Sequence, residues 1–272
     1  MEMVMSRLGF KVAVVTGGAF GFGAEAAQAL ARDGASVVLT GTQDEAGEAA
    51  AAALRAEGLL AEYHHLDTSD AMGWTQLADR IMRTHGHLDI LVNQSGPAES
   101  ATIENATVAQ LRESLETCLV EPFLGIKAVI PAMRQSGGGA IINIVANAIV
   151  EILPLHALYS AAKAGLVGLT RSTAVHCHQR SYDIRVNAIH PGTHETPRLE
   201  TGALRSTTSP SLHEMLAALP AGQNETLYAF GEAITYLAGD DSRHVTGREI
   251  YCAGPLTPGS YEAAAASLIA LD

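Results

Sequence analysis

A chain of 272 residues with a formal net charge of −12 and no cluster of Lys and Arg suits neither nucleic acid nor an anionic membrane as partner, which leaves a small-molecule substrate. The length fits one large α/β domain spanning residues 1–272, with no visible seam between two smaller ones. Cys118, Cys177 and Cys252 are odd in number and widely spaced, which excludes a disulfide framework and fits reduced thiols in a cytoplasmic protein.

The beginning of the chain lacks the apolar core of a signal peptide. From there, short apolar runs alternate with longer segments of helical period. That alternation predicts an α/β fold, a single doubly wound (Rossmann-like) parallel sheet with helices on both faces. Val12 to Val15 is the first strand, and Gly23 to Arg32 a helix stopped by Asp33 and Gly34. Val37 to Leu39 begins the second strand, Asp44 to Glu57 is an alanine-rich helix ended by Gly58, and Glu62 to Leu66 is the third strand. A helix from Met72 to Thr84 and a fourth strand, Leu88 to Val92, follow. Val108 to Met133 reads as one long helix that Pro122 kinks or splits. Ile141 to Val145 is a buried fifth strand. The apolar stretch around it, Ala140 to Leu158, is interrupted by Asn143, Asn147, Glu151, Pro154 and His156, so it does not span a membrane. Leu155 to about His178 is helical, and Ile184 to Ile189 is the sixth strand. Residues 193–227, rich in Ser, Thr and Pro and placed after a strand end, are expected to form a substrate lid. Ala229 to Leu237 is a helix and Glu249 to Cys252 the last strand; residues 259–272 form a tail, helical from Tyr261 to Ala270.

Two local patterns carry chemistry. Thr16-Gly17-Gly18-Ala19-Phe20-Gly21-Phe22-Gly23 lies between the first strand and the first helix, where missing side chains let backbone N–H groups approach a pyrophosphate. By itself such a cluster reads equally well as a tight turn. Tyr159-Ser160-Ala161-Ala162-Lys163 puts a phenol and an ammonium one helical turn apart on one face, so the ammonium is expected to favour the phenolate. The histidines show no coherent ligand spacing, and no metal is expected.

Thr-Gly-x-x-x-Gly-x-Gly followed by Tyr-x-x-x-Lys resembles the short-chain dehydrogenase/reductase (SDR) family, and the resemblance runs from Lys11 to about Gly254. Asp67 matches the acid that contacts the adenine ring, and Asn93-Gln94-Ser95-Gly96 matches the family's Asn-Asn-Ala-Gly. Pro191-Gly192 matches its Pro-Gly turn, and Thr196 the threonine that holds the nicotinamide carboxamide. The run from Asn187 to Pro191 looks like bacterial hydroxysteroid and secondary-alcohol dehydrogenases. Each match also has a plain structural alternative: Asp67 as a helix cap, Pro191-Gly192 as a turn, and Asn93 as a pin between strands.

The resemblance implies NAD or NADP as cofactor, held by Gly17, Phe20, Gly21, Phe22, Gly23, Asp67, Asn93, Gly96, Pro191, Gly192 and Thr196 together with Tyr159 and Lys163. It also implies a homo-oligomer, a dimer or tetramer. Tyr159 would be the general acid/base, with Lys163 lowering its pKa. The family's serine falls at Ala146 and the asparagine of its water relay at Cys118, so two catalytic positions are replaced. Asn147 or His156 could supply the missing donor, or could serve only the loop and the cleft wall; Cys118 is expected to be a small buried residue. Gly41-Thr42-Gln43 carries neither the acid that marks NAD nor the base that marks NADP. The implied activity is oxidation or reduction of a secondary alcohol or ketone, apolar or polycyclic. Elimination, isomerisation or cyclisation through Tyr159, or a non-catalytic cofactor-binding scaffold, are the alternatives. His190 and His194, beside the Pro-Gly turn, are expected near substrate.

Overall fold

A computed structural model of the chain describes residues 6–95, 101–145, 156–191 and 223–252. Among them, strands β1 (Val12–Thr16), β2 (Ser36–Gly41), β3 (Ala61–His65), β4 (Ile90–Asn93), β5 (Gly139–Ile144), β6 (Ile184–Pro191) and β7 (Glu249–Cys252) form one sheet. Their order is β3-β2-β1-β4-β5-β6-β7, and every pairing is parallel. The order reverses between β1 and β4, which places the crevice for a ligand outside the carboxyl ends of those strands.

The apolar runs of β1, β4 and β5 follow from burial on both faces. In β1, Ala13 and Val15 pack with Leu30, Leu39, Phe230 and Ile234 on one side, while Val12 and Val14 pack with Trp74, Leu77, Leu91 and Ile141 on the other. The first layer holds α1 (Gly21–Arg32), α2 (Asp44–Ala56) and α7 (Gln223–Ala238). The second holds α3 (Ala71–His85), α5 (Glu121–Gln135) and α6 (Ala157–Gln179). A fully buried leucine or isoleucine in either layer contributes about 1.5 to 3 kcal/mol. Across the sheet, Asn93 Nδ2 donates to Asn143 Oδ1 at 2.8 Å, and Asn143 Nδ2 donates to Thr170 Oγ1 at 2.8 Å. This buried polar chain ties β4, β5 and α6 together, so Asn93 does pin two strands.

The long helix expected over Val108 to Met133 is split, as expected, next to Pro122. α4 (Val108–Leu115) passes into a π-helical turn, Glu116–Val120, and α5 starts at Glu121. The entry to α4 is a capping box: Gln110 N–H donates to Thr107 Oγ1 while Gln110's side chain receives Thr107 N–H. Pro122 lies in the first turn of α5, where a missing N–H costs little, and the break precedes it. Pro131 is accommodated inside α5. The π turn carries Cys118, fully buried, into the space beside Lys163.

Candidate active site

The glycine loop is a tight cradle of backbone. Gly17 has φ 59°, and a Cβ there would lie 2.2 Å from Gln94 Oε1. At Gly23 a Cβ would stand 2.3 Å from the Gly17 carbonyl oxygen, so no side chain fits between the helix start and the loop. Phe20, the residue before α1, makes no side-chain cap, and the first turn holds no carboxylate. The start of α1 thus carries no side-chain cap and no carboxylate, and the positive end of the helix suits an anion. Phe22 packs against Phe230 of α7, ring centroids 5.0 Å apart. The cradle fits a dinucleotide pyrophosphate.

Tyr159 and Lys163 stand on the first turns of α6, beyond the carboxyl end of β5. Lys163 is 2% exposed, and its Nζ donates to Ser95 Oγ at 2.7 Å and to the Ile144 carbonyl at 2.9 Å. Burial lowers its pKa to about 8, against a smaller opposing pull from Cys118. Nζ lies 5.6 Å from the Tyr159 ring centroid. The phenol behaves opposite to the expectation: burial first, then Cys118, pushes its pKa up rather than down. Desolvation of the anion outweighs the nearby ammonium, which is itself engaged by Ser95 and Ile144. Tyr159 is thus a protonated acid at neutral pH in the cofactor-free chain. The His156 ring, at the N-cap of α6, meets Tyr159 edge-on at 6.3 Å. Burial likewise pushes the Cys118 thiol up, which makes it a poor nucleophile.

At the far side of the sheet, the end of β2 pairs with the end of β3, Gly41 opposite His65. Tyr63 donates its hydroxyl to the Gly41 carbonyl at 2.7 Å and to Asp44 Oδ1 at 2.9 Å, and His65 Nδ1 lies 2.6 Å from the same oxygen. His65 and then Tyr63 hold the Asp44 carboxyl below its ordinary range. Asp67 is held low by the hydroxyl and N–H of Ser69. It does not cap α3; Asp70 does, receiving Met72 N–H at 2.8 Å. A cavity of about 210 Å³ that includes Lys11, Asp89 and Arg185 lies at the opposite, amino-terminal edge of the sheet and takes no part in this arrangement.

Comparison with known proteins identifies the group to which the cradle and the Tyr159–Lys163 pair belong. The profile of the family described as short chain dehydrogenase matches residues 11–204. This chain belongs to that family. Among similar proteins, trans-4-hydroxycyclohexanecarboxylate dehydrogenase of Sinomonas cyclohexanicum is 35% identical over 266 residues, 96% of this chain and 98% of the relative. The 3-alpha-(or 20-beta)-hydroxysteroid dehydrogenase of Mycobacterium tuberculosis strain H37Rv is 35% identical over 254 residues, 93% of this chain and 92% of the relative. An NADP-dependent (R)-specific alcohol dehydrogenase of Lentilactobacillus kefiri is 33% identical, covering 92% of this chain and 98% of the relative. A solved structure of a short-chain dehydrogenase/reductase from Burkholderia xenovorans superposes with TM-score 0.77 at 29% identity, covering 95% of this chain and 98% of that one.

In this short chain dehydrogenase, Gly17, Phe20, Gly21, Phe22, Gly23, Asn93, Tyr159, Lys163 and Pro191 all lie at the carboxyl ends of the strands or in the elements that follow them, with Asp67 just beyond β3. Gly96, Ala146, Asn147, Gly192, Thr196 and His194 lie outside the described residues, as do residues 193–222 of the expected lid and the tail. His190 corrects an expectation. It is fully buried, stacks on Tyr251 at 4.3 Å and places Nε2 3.0 Å from Glu249 Oε2, so it is a packing element between β6 and β7. No group of acidic, histidine or cysteine side chains among the described residues could hold a metal ion, and no helix among them is long and apolar enough to cross a membrane. Sequence reasoning passed over Ser95 as a functional group; its signal was a hydroxyl at a place where the family carries alanine.

Proposed function

We propose that this protein is an NAD(P)-dependent oxidoreductase that interconverts a secondary alcohol and its ketone on an alicyclic or polycyclic framework. One observation carries the reading: the tight glycine cradle, where no Cβ fits at Gly17 or Gly23, opens at the start of α1 on the same sheet edge as Tyr159 and the buried Lys163. Support for a cyclic substrate comes from relatives whose names specify trans-4-hydroxycyclohexanecarboxylate, hydroxysteroids and cyclopentanol.

In this reading the backbone of Gly17, Gly21 and Gly23 faces the pyrophosphate, with Phe20, whose N–H is bonded to the Gly17 carbonyl, and Phe22 beside it. Asp67 stands at the adenine, while Asn93, Gly96, Pro191, Gly192 and Thr196 line the path to the nicotinamide. When bound, the nicotinamide supplies or accepts the hydride. Tyr159, kept protonated by burial, donates its proton to the ketone oxygen during reduction. In oxidation it must first lose that proton, so the raised pKa favours reduction at neutral pH. Lys163 orients the cofactor ribose and holds a positive charge that offsets the tyrosinate as it forms. Ala146 offers no donor to the substrate oxygen, so Asn147 is the proposed substitute. Of the two cofactors, NAD is favoured. Asp44 and Asp67 lie on either side of His65 at the adenosine corner, and their carboxylates repel the additional phosphate of NADP.

The test is a titration with NADH and NADPH followed by turnover on cyclohexanones and ketosteroids. Binding and cofactor-dependent reduction support the proposal; failure to bind either cofactor sinks it.

A further inference from the structure

In the resemblance, an asparagine completes the water relay that returns protons to the tyrosine, and here Cys118 stands in its place. A buried thiol with a raised pKa is a weak hydrogen-bond partner and does not replace it. What Lys163 does meet is Ser95. Its Nζ donates to Ser95 Oγ at 2.7 Å, a contact between residues 68 apart in sequence. Ser95 occupies the alanine place of the family's Asn-Asn-Ala-Gly turn, so this hydroxyl is an addition of the present chain.

Ser95 also borders a second space. With Thr68, Trp74, Asn93 and Glu121 it lines a cleft of about 10 Å³, close to the room one water needs where polar partners surround it. Glu121, at the first position of α5, receives the Thr68 hydroxyl at 2.5 Å. It is half-buried, so one side reaches solvent. Burial pushes its carboxyl up, and Asp67 and Glu116 act in the same direction, against Thr68. The groups around Lys163 are Tyr159 on its own helix, Cys118 from the π turn, the Ile144 carbonyl from β5 and Ser95 from the end of β4, whose hydroxyl also hydrogen-bonds the Cys118 thiol.

We propose that Ser95 and Glu121 form the proton relay of this enzyme, Ser95 coupling Lys163 to the cleft and Glu121 exchanging the proton with solvent. The proposal rests on the hydride-transfer reading above. In reduction Tyr159 loses one proton to the substrate oxygen. Lys163 passes a proton back toward the tyrosinate and becomes an amine. The Ser95 O–H bond then breaks as its proton moves to that amine, while Ser95 Oγ takes a proton from a cleft water. Glu121 replaces the proton of that water and is reprotonated from solvent. One proton enters per turnover and every side chain ends as it began; oxidation runs the same steps in reverse.

The test uses Ser95→Ala, Ser95→Thr and Glu121→Gln in the full-length protein. Lys11, Lys127 and Lys163 are its lysines, so carbon-13 lysine NMR can follow Lys163 alone in the cofactor-free state. Loss of the Ser95 acceptor removes a bond to the charged form, and the Lys163 midpoint should fall by about one pH unit from its value near 8. Turnover should drop about tenfold, a modest share of what acid/base groups supply, with NADH affinity unchanged within about twofold. Ser95→Thr, which keeps the hydroxyl, should restore both readings. Glu121→Gln should abolish the pH-dependent change in emission of Trp74, the chain's one tryptophan, and its turnover should recover in imidazole buffer.

An unchanged Lys163 midpoint in Ser95→Ala would overturn the proposal, as would a slow enzyme that neither threonine nor buffer rescues. If neither cofactor binds the wild type, the hydride-transfer reading fails instead, while the Lys163 midpoint still decides whether Ser95 is coupled to it.

Discussion

Lys163→Met removes a fully buried ammonium, and its effect on folding can be worked out from the lysine's surroundings alone. A pKa that falls from 10.5 to about 8 means that the folded chain holds this charge roughly 3 kcal/mol less favourably than the unfolded chain does. For a base with a depressed folded pKa the full cost is present below the folded value. It is relieved as pH rises from about 8 to 10.5, because in that window the unfolded chain binds more protons. Methionine avoids the cost, but Ser95 Oγ and the Ile144 carbonyl lose their ammonium donor, a loss of about 1 kcal/mol each. The variant should therefore be more stable than wild type by about 1 kcal/mol near neutral pH. Between roughly pH 7 and pH 9.5 the difference should move by about 2 kcal/mol toward the wild type, so that the variant becomes the less stable of the two. Burial raises the Cys118 and Tyr159 acids, so they lose stabilising power as pH rises, but both proteins share them and their effect largely cancels in the difference. Urea unfolding followed by Trp74 fluorescence at the two pH values measures it. A stability difference independent of pH, or one that grows with pH, would refute the reasoning.

Gly23→Ala places a Cβ 2.3 Å from the Gly17 carbonyl oxygen, and the backbone shift it forces should weaken NADH binding at least tenfold while costing about 1 to 3 kcal/mol of stability, read by titration and denaturation. Tyr159→Phe should lower ketone reduction by about 10² to 10⁴ with NADH affinity nearly unchanged. The raised phenol pKa implies a reduction rate flat through neutral pH and an oxidation rate that climbs with pH well above it, checked by the two pH profiles. Because Asn147 is the proposed substitute donor, Ala146→Ser should raise turnover by less than about tenfold and leave cofactor affinity unchanged, whereas a gain of about 10² would show that no donor serves the site.

Much of the fold was legible because it depends on local pattern. β1, β4 and β5 are apolar runs with glycine or polar residues beside them, and α1, α2, α3 and α6 start and stop within about two residues of the sequence expectation, while α7 begins six residues before Ala229. The split of the long helix was legible from Pro122, which lies in the first turn of α5 just after the break, but its form was not: a π turn depends on how Cys118 and its neighbours pack against α6, and no spacing in the chain announces it. At the site, the glycine loop and the Tyr159–Lys163 pair each lie within one short segment and could be read directly. Ser95 with Lys163 and Asp44 with His65 are assembled by the sheet from distant segments, so their chemistry emerges only with the fold. Spacing alone also misjudged Tyr159. Proximity of a lysine suggests a phenolate, but only burial decides whether the charge is tolerated. His190 failed for a related reason, since its strand position does not reveal that Glu249 and Tyr251 on β7 enclose the ring.

The central claim is that the cradle and Tyr159 serve hydride transfer. It is tested most directly by titrating wild type and Tyr159→Phe with NADH and NADPH, following nicotinamide fluorescence, and then adding a cyclic ketone. The account predicts saturable binding by both proteins, tighter for NADH, and cofactor oxidation on ketone addition in the wild type alone. Binding of neither cofactor, or undiminished turnover in Tyr159→Phe, would contradict it.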